Sequence, residues 1–207
     1  MLRKKIVIFS GVFFAIIFQV VAAAATTTTV INYQPTLIKG EIKTGECFAS
    51  SIAVNRQDAW RCNVGNEIYD PCFTTKDVNK LVCGVDPSNT QQGFFLQLTK
   101  PLPVADAASA GSQLSPWMIK LVDGSVCTPY TGTMPIIPTA SGVLAMRYGC
   151  VDNNPQKNAK IMVGILDDSL KIGNLWQAKK VYFVAAGAEG KPRVLKAEMV
   201  NVDTVWQ

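Results

Sequence analysis

All six cysteines of this 207-residue chain, Cys47, Cys62, Cys72, Cys83, Cys127 and Cys150, lie downstream of an apolar leader. That placement constrains the fold more than any other feature. Arg3, Lys4 and Lys5 form a positive start, Ile6 to Val21 is apolar except for Ser10, Gly11 and Gln19, and Ala22 to Ala25 supply small side chains. This is the plan of a secretory signal peptide over residues 1–25, with cleavage expected after Ala25, give or take two residues. The apolar run is shorter than the ~20 residues a spanning helix needs, so no membrane span is expected after cleavage. With no cysteine near the cleavage point, a lipoprotein anchor is not expected either. The chain is read as exported, periplasmic or secreted, and of bacterial type. In an oxidising compartment an even set of cysteines reads as three disulfides.

The cysteine spacing suggests a pairing. Cys47–Cys62 and Cys72–Cys83 each close a short loop, and Cys127–Cys150 ties a hairpin arm to a later strand. Short loops close most readily, which favours this sequential scheme over the interleaved Cys47–Cys72 and Cys62–Cys83. Metal ligation is not expected, because the chain has no CxxC pair and no histidine. The missing imidazole also removes Ser-His-Asp chemistry and the usual base of a cysteine nucleophile. A Ser–Lys dyad stays open, although no SxxK signature is present.

Charge excludes a further class. The whole chain is +5, but the leader carries three of the positive charges, so the exported part is only +2. Such a chain gives no reason to expect nucleic acid as a partner. At this length one self-sufficient core is the default.

Beyond the leader, residues 26–46 read as an arm with one possible strand, and 47–207 as a single β-rich domain. From Cys47 to Cys83 the pattern is irregular, which predicts a loop-rich segment with one or two short helical turns, stapled by disulfides. After Cys83, short strands alternate with turns. They are Phe94 to Thr99, Trp117 to Cys127 with a hairpin signal at Asp123-Gly124, Val143 to Cys150, Lys160 to Leu166, Leu175 to Ala186, and Arg193 to Trp206. Thr128 to Gly142, with three prolines, reads as a crossing loop, and Pro101 to Pro116 as a long surface loop. The fold class is all-β, a sandwich or small open barrel.

The densest stretch is DAWRCNVGNEIYDPCF, Asp58 to Phe73. Two readings compete there. Asp58, Glu67 and Asp70 could supply a carboxylate pair for glycoside cleavage, with Glu67 and Asp70 the least implausible pair. The structural reading accounts for more residues. Asp70-Pro71 fixes a turn, Gly65 permits an unusual backbone conformation, and Trp60 is an apolar lid beside Cys62. Arg61 forms a forked pair with Asp58 or Asp70. Elsewhere, GAEGKP (Gly187 to Pro192) lacks phosphate-loop spacing, and Asp167-Asp168 and Val151 to Asn154 lack the ligand pattern of a calcium loop. Trp117, Trp176 and Trp206 fall in strand patterns and read as core. Tyr130, in the proline-rich loop, is the better surface contact.

Asp58-Ala59-Trp60-Arg61-Cys62, Asn66, Ile68, Asp70-Pro71-Cys72-Phe73 and Cys83, followed by Pro116-Trp117, Asp123-Gly124, Cys127, Gly132-Thr133 and Tyr148-x-Cys150, carry a likeness. Over Cys47 to about Trp176 the chain resembles an uncharacterised Cys-rich domain of secreted and surface-tethered bacterial proteins. No activity is known for that domain, so no functional residue carries over. The resemblance implies a binding or sensing module. The expected function is accordingly a non-catalytic module without cofactor or metal, binding a protein or glycan such as an envelope component or host ligand. The alternative is a carboxylate-based cell-envelope hydrolase.

Overall fold

The computed structural model describes residues 27–36, 39–87, 89, 92–104, 116–139, 142–151, 161–166, 170–184 and 192–207. The leader, GAEGKP up to Lys191, Asp167-Asp168 and residues 152–154 of the Val151 to Asn154 run lie outside the described residues. Every regular element among the described residues is a strand: β1 (Thr29–Ile31), β2 (Ile42–Ser50), β3 (Ala59–Val64), β4 (Glu67–Thr74), β5 (Lys80–Cys83), β6 (Phe94–Leu98), β7 (Met118–Leu121), β8 (Val126–Pro129), β9 (Ile136–Thr139), β10 (Gly142–Val151), β11 (Ile161–Leu166), β12 (Gln177–Val184) and β13 (Arg193–Trp206). The all-β class is as expected.

β2 to β6 close a five-stranded barrel in chain order, with β6 returning parallel to β2. The helical turns expected between Cys47 and Cys83 do not form among the described residues. The backbone there pairs from β2 through β5, and loops are confined to the connections. The β3–β4 hairpin turns at Gly65, whose φ of 62° is a left-handed conformation that glycine adopts without a Cβ clash. A second sheet runs β1-β13-β12-β11-β10-β8-β7, and a β13–β7 pairing returns it on itself, closing a ring. β9 pairs with the first half of β10, so the proline-rich segment holds a strand where a plain crossing loop was expected. The boundary drawn at Cys47 falls inside β2. The arm before it contributes β1, which joins the far sheet as a parallel partner of β13.

The two closed sheets meet over one apolar cluster. Val54, Ala59 and Phe73 come from the barrel side, and Trp117, Met118 and Trp206 from the ring side. Tyr33, on the connector from β1 to β2, sits between them, with ring centroids 6.0 Å from Phe73 and 5.4 Å from Trp117. Phe73 and Trp117 touch edge-on at 5.7 Å. Such aromatic pairs contribute roughly 0.5–1.5 kcal/mol each beyond simple burial. Trp117 and Trp176 stand one residue before β7 and β12, Trp206 ends β13, and all three are buried, Trp176 in the ring core.

The disulfides join register partners across neighbouring strands. Cys47 bonds Cys62 across β2–β3, Cys72 bonds Cys83 across β4–β5, and Cys127 bonds Cys150 across β8–β10. The pairing is the sequential one. Two of the three bridges therefore lie in the small barrel.

Candidate functional site

The Asp58 to Phe73 stretch is a β-hairpin with a deliberate irregularity. Trp60 faces Cys72 and Cys62 faces Tyr69, so Asp70 and Pro71 together oppose the single residue Arg61. A bulge of this kind leaves the extra residue outside the ladder, which is where a proline without an N–H is tolerated. Pro71 follows a cis peptide bond. The expected turn at Asp70-Pro71 is thus a bulge within a strand. Its effect is to re-aim the Asp70 side chain. A second irregularity, between Cys47 and Ala49 of β2, leaves Phe48 exposed on the adjoining edge.

Asp70 is the chemically distinctive residue. Its side chain is fully enclosed, at 0% exposure. The Ser51 hydroxyl donates to one carboxylate oxygen, and the Ile52 amide donates to the other at 3.2 Å. Ser51 in turn accepts from the Ala53 and Val54 amides, both at 3.1 Å, so the loop after β2 is wound around this carboxyl. Arg61 approaches Asp70 at 4.0 Å, while its Nη2 donates to the Thr131 carbonyl of the ring at 2.7 Å. Burial pushes the Asp70 carboxyl above its ordinary range. The bonds from Ser51 and the Ile52 and Ala53 amides, together with the Arg61 charge, offset that only in part.

The other residues of the stretch have separate tasks. Asp58 is taken by Arg56, not Arg61, in a two-bond fork of 2.8 and 2.6 Å, and the Arg56 guanidinium also caps the Phe73 ring at 4.9 Å. Trp60 packs with Cys62 in the barrel core, its indole N–H buried without an acceptor among the described residues. Glu67 sits at the surface and accepts from the Tyr69 hydroxyl, and that bond, first among the causes, raises the Tyr69 pKa. The proposed pair is therefore divided: Asp70 is wrapped by the loop after β2, whereas Glu67 is engaged by Tyr69.

Asp70 lies on the wall of a cleft of about 380 Å³ between the two closed sheets. Tyr69, Asp86 and Gln92 line it from the barrel side, and Trp117 and Thr131 from the ring side. The Trp117 indole N–H is buried without an acceptor among the described residues. The walls thus combine hydrogen-bonding side chains with apolar surface, the composition of a small-molecule or side-chain pocket. Sequence reading missed Ser51, Gln92 and Thr131, which carry no local signal. They are brought to Asp70 or its cleft only by folding.

Two further clusters resemble chemistry. The sulfurs of Cys62, Cys72 and Cys83 lie within 4.8 Å of one another, a spacing that could suit a metal, but each belongs to a disulfide and offers no thiolate. In the ring, the buried Lys180 ammonium donates to Asp123 at 2.7 Å and to the Ser125 hydroxyl at 2.8 Å. This is a Ser–Lys contact in the wrong protonation state for a base. Burial alone would lower the Lys180 pKa, but Asp123 and Tyr182 outweigh it and hold the amine charged above its usual value. Ser125 is itself fully buried, so the cluster serves to hold the β7–β8 turn against β12. Tyr130 is half-buried against Gly149, where an added Cβ would stand 2.9 Å from the ring, and burial pushes its phenol up. It is partly packed and also lines a cleft with Gly149, Val151 and Met162.

No family model, curated protein or solved structure matches this chain.

Proposed function

We propose that the chain is an exported, non-catalytic binding module that takes a polar group of an envelope component, protein or host ligand in the cleft beside Asp70. Export is supported by the leader pattern and by three disulfides, which persist in oxidising compartments. The observation that carries the binding reading is the use of Asp70: its carboxyl is committed to Ser51, Ile52 and Arg61 in holding the wall of the cleft. Its proposed partner Glu67 is bonded to Tyr69. Crosslinking pull-down from an envelope fraction tests it. Thr131→Arg, which fills the cleft from the ring side, is expected to lose the partner, whereas Glu67→Gln keeps it. Retention of the partner by Thr131→Arg would remove the cleft from consideration.

One observation favours the alternative, a carboxylate-based envelope hydrolase. Asp70 lines the cleft and its carboxyl has a raised pKa, two marks of a general acid, although the loop after β2 would have to open for that enclosed carboxyl to meet a substrate. That reading requires hydrolysis of cell-wall glycan that both Asp70→Asn and Glu67→Gln abolish.

A further inference from the structure

β13 is long enough to have three neighbours. Its second half is flanked by β7 on one edge and β1 on the other, while its first half is paired to β12 alone. The β7 ladder stops at Val202, and one further bond, from the Val122 amide to the Asn201 carbonyl, ends the coverage of that edge. Among the described residues nothing pairs with Arg193–Val200 on the side opposite β12. The register against β12 is regular from Lys196 to Asn201, so backbone groups alternate between the two edges. Since the Asn201 carbonyl faces the β7 side, the N–H and C=O of Met199 and Ala197 face it too. They form an open hydrogen-bonding edge, bounded at the far end by a bulge at Leu195 opposite the Tyr182/Phe183 step.

The sequence on that edge is complementary to itself. Reading outward from Ala197, Lys196 mirrors Glu198, Leu195 mirrors Met199, and Val194 mirrors Val200. Two copies placed antiparallel about Ala197 would exchange both backbone bonds between the two Ala197 residues. Lys196 of each copy would then face the partner's Glu198, in the adjoining positions where side chains approach most closely. Leu195 and Met199, 42% and 49% exposed, would meet across the same seam. Within one copy Lys196 and Glu198 are already joined at 2.6 Å, so the pairing makes a ring of four alternating charges. A two-fold contact requires a self-complementary surface of this kind.

We propose that the open edge of β13 from Val194 to Val200 is a self-association surface, through which a second copy of this chain adds antiparallel in the register centred on Ala197. The short regular run makes the dimer weak and reversible. Lysines and bulges at sheet edges also serve to prevent such pairing, so the rival is a guarded edge on a monomer. Sedimentation velocity over a concentration series separates them. The exported chain is expected to dimerise at the upper end of the series. Lys196→Glu and Glu198→Lys, each placing like charges opposite one another twice, should weaken association by about tenfold. An equimolar mixture of the two variants restores both pairings and should recover the dimer as a heterodimer. Amide exchange at Ala197 and Met199 should slow as concentration rises. A monomer at every concentration overturns the proposal, as does a dimer indifferent to both charge reversals, or a mixture that fails to recover.

Discussion

In the barrel of β2 to β6, four of the eight buried residues in the main core cluster are cysteines, and the sulfurs of Cys62, Cys72 and Cys83 gather within 4.8 Å. In the ring, the corresponding cluster has nine buried residues, of which Cys127 alone is a cysteine, and the polar interior holds Lys180 between Asp123 and Ser125. A small closed sheet has little interior relative to its surface, so apolar burial alone leaves it marginal, and covalent staples restrain its unfolded chain instead. The ring buries more and can carry a charged pair, whose cost of desolvation is met by good geometry and a third partner. The comparison separates two ways of holding a β-sheet closed.

The largest expected effect tests the staples. Cys72→Ala with Cys83→Ala should lower stability by about 4 kcal/mol, through lost chain restraint and a cavity in a dry core. Cys127→Ala with Cys150→Ala should cost about 3 kcal/mol, because the ring retains more apolar support. Denaturant unfolding of both pairs measures the order, and the reverse order would break the comparison.

Next comes the charged pair. Asp123→Ala leaves an enclosed ammonium without its counter-charge and is expected to cost about 3 kcal/mol. Replacing both partners by apolar residues, Asp123→Leu with Lys180→Met, should recover most of that loss. A double variant no better than the single one would show that the pair contributes net stability.

The two regions should also answer acid in opposite directions. Burial works to raise the Asp123 pKa, but Lys180 and Ser125 overcome it and hold the carboxyl below its ordinary value. Its contribution is therefore present above the unfolded pKa and is lost as pH falls through the depressed one. Asp70 is raised instead, so its contribution is greatest when protonated and declines as pH rises through the raised value. Native-state hydrogen exchange between neutral and about pH 3 should show ring amides losing protection on acidification while amides around Asp70 do not. Asp70→Asn should flatten the barrel's response. The smallest effect belongs to Glu67→Gln, exposed and, among the described residues, bonded to Tyr69 alone, which should change stability by no more than about 0.5 kcal/mol.

Much of this architecture was legible because its signals are local. Asp123-Gly124 marks the β7–β8 turn, and the apolar runs from Phe94 onward mark strands without reference to their partners. What escaped reading depends on distant partners or on prolines. Pro71 and Pro138 both read as breakers, yet one occupies a bulge and the other a strand, β9, that among the described residues pairs with β10 alone. Lys179 and Lys180 look equivalent in sequence, but the register exposes one and turns the other onto Asp123, 57 positions away. The candidate cleft was the least legible. Its walls come from segments that meet only after both sheets close, and Ser51, Gln92 and Thr131 have no pattern that sets them apart from ordinary surface residues.

The parallel clasp of Thr29–Ile31 against Thr204–Trp206 has a consequence for the order of assembly. Of the described strands β1 is made first, but it has no ladder to join until Thr204–Trp206 has emerged. Each new molecule must therefore keep Val30 and Ile31, 45% and 37% exposed even in the finished fold, from finding another chain's edge in the interval. A chain halted before Arg193 would finish its disulfide-stapled barrel and still present that strand, unpartnered, to its neighbours.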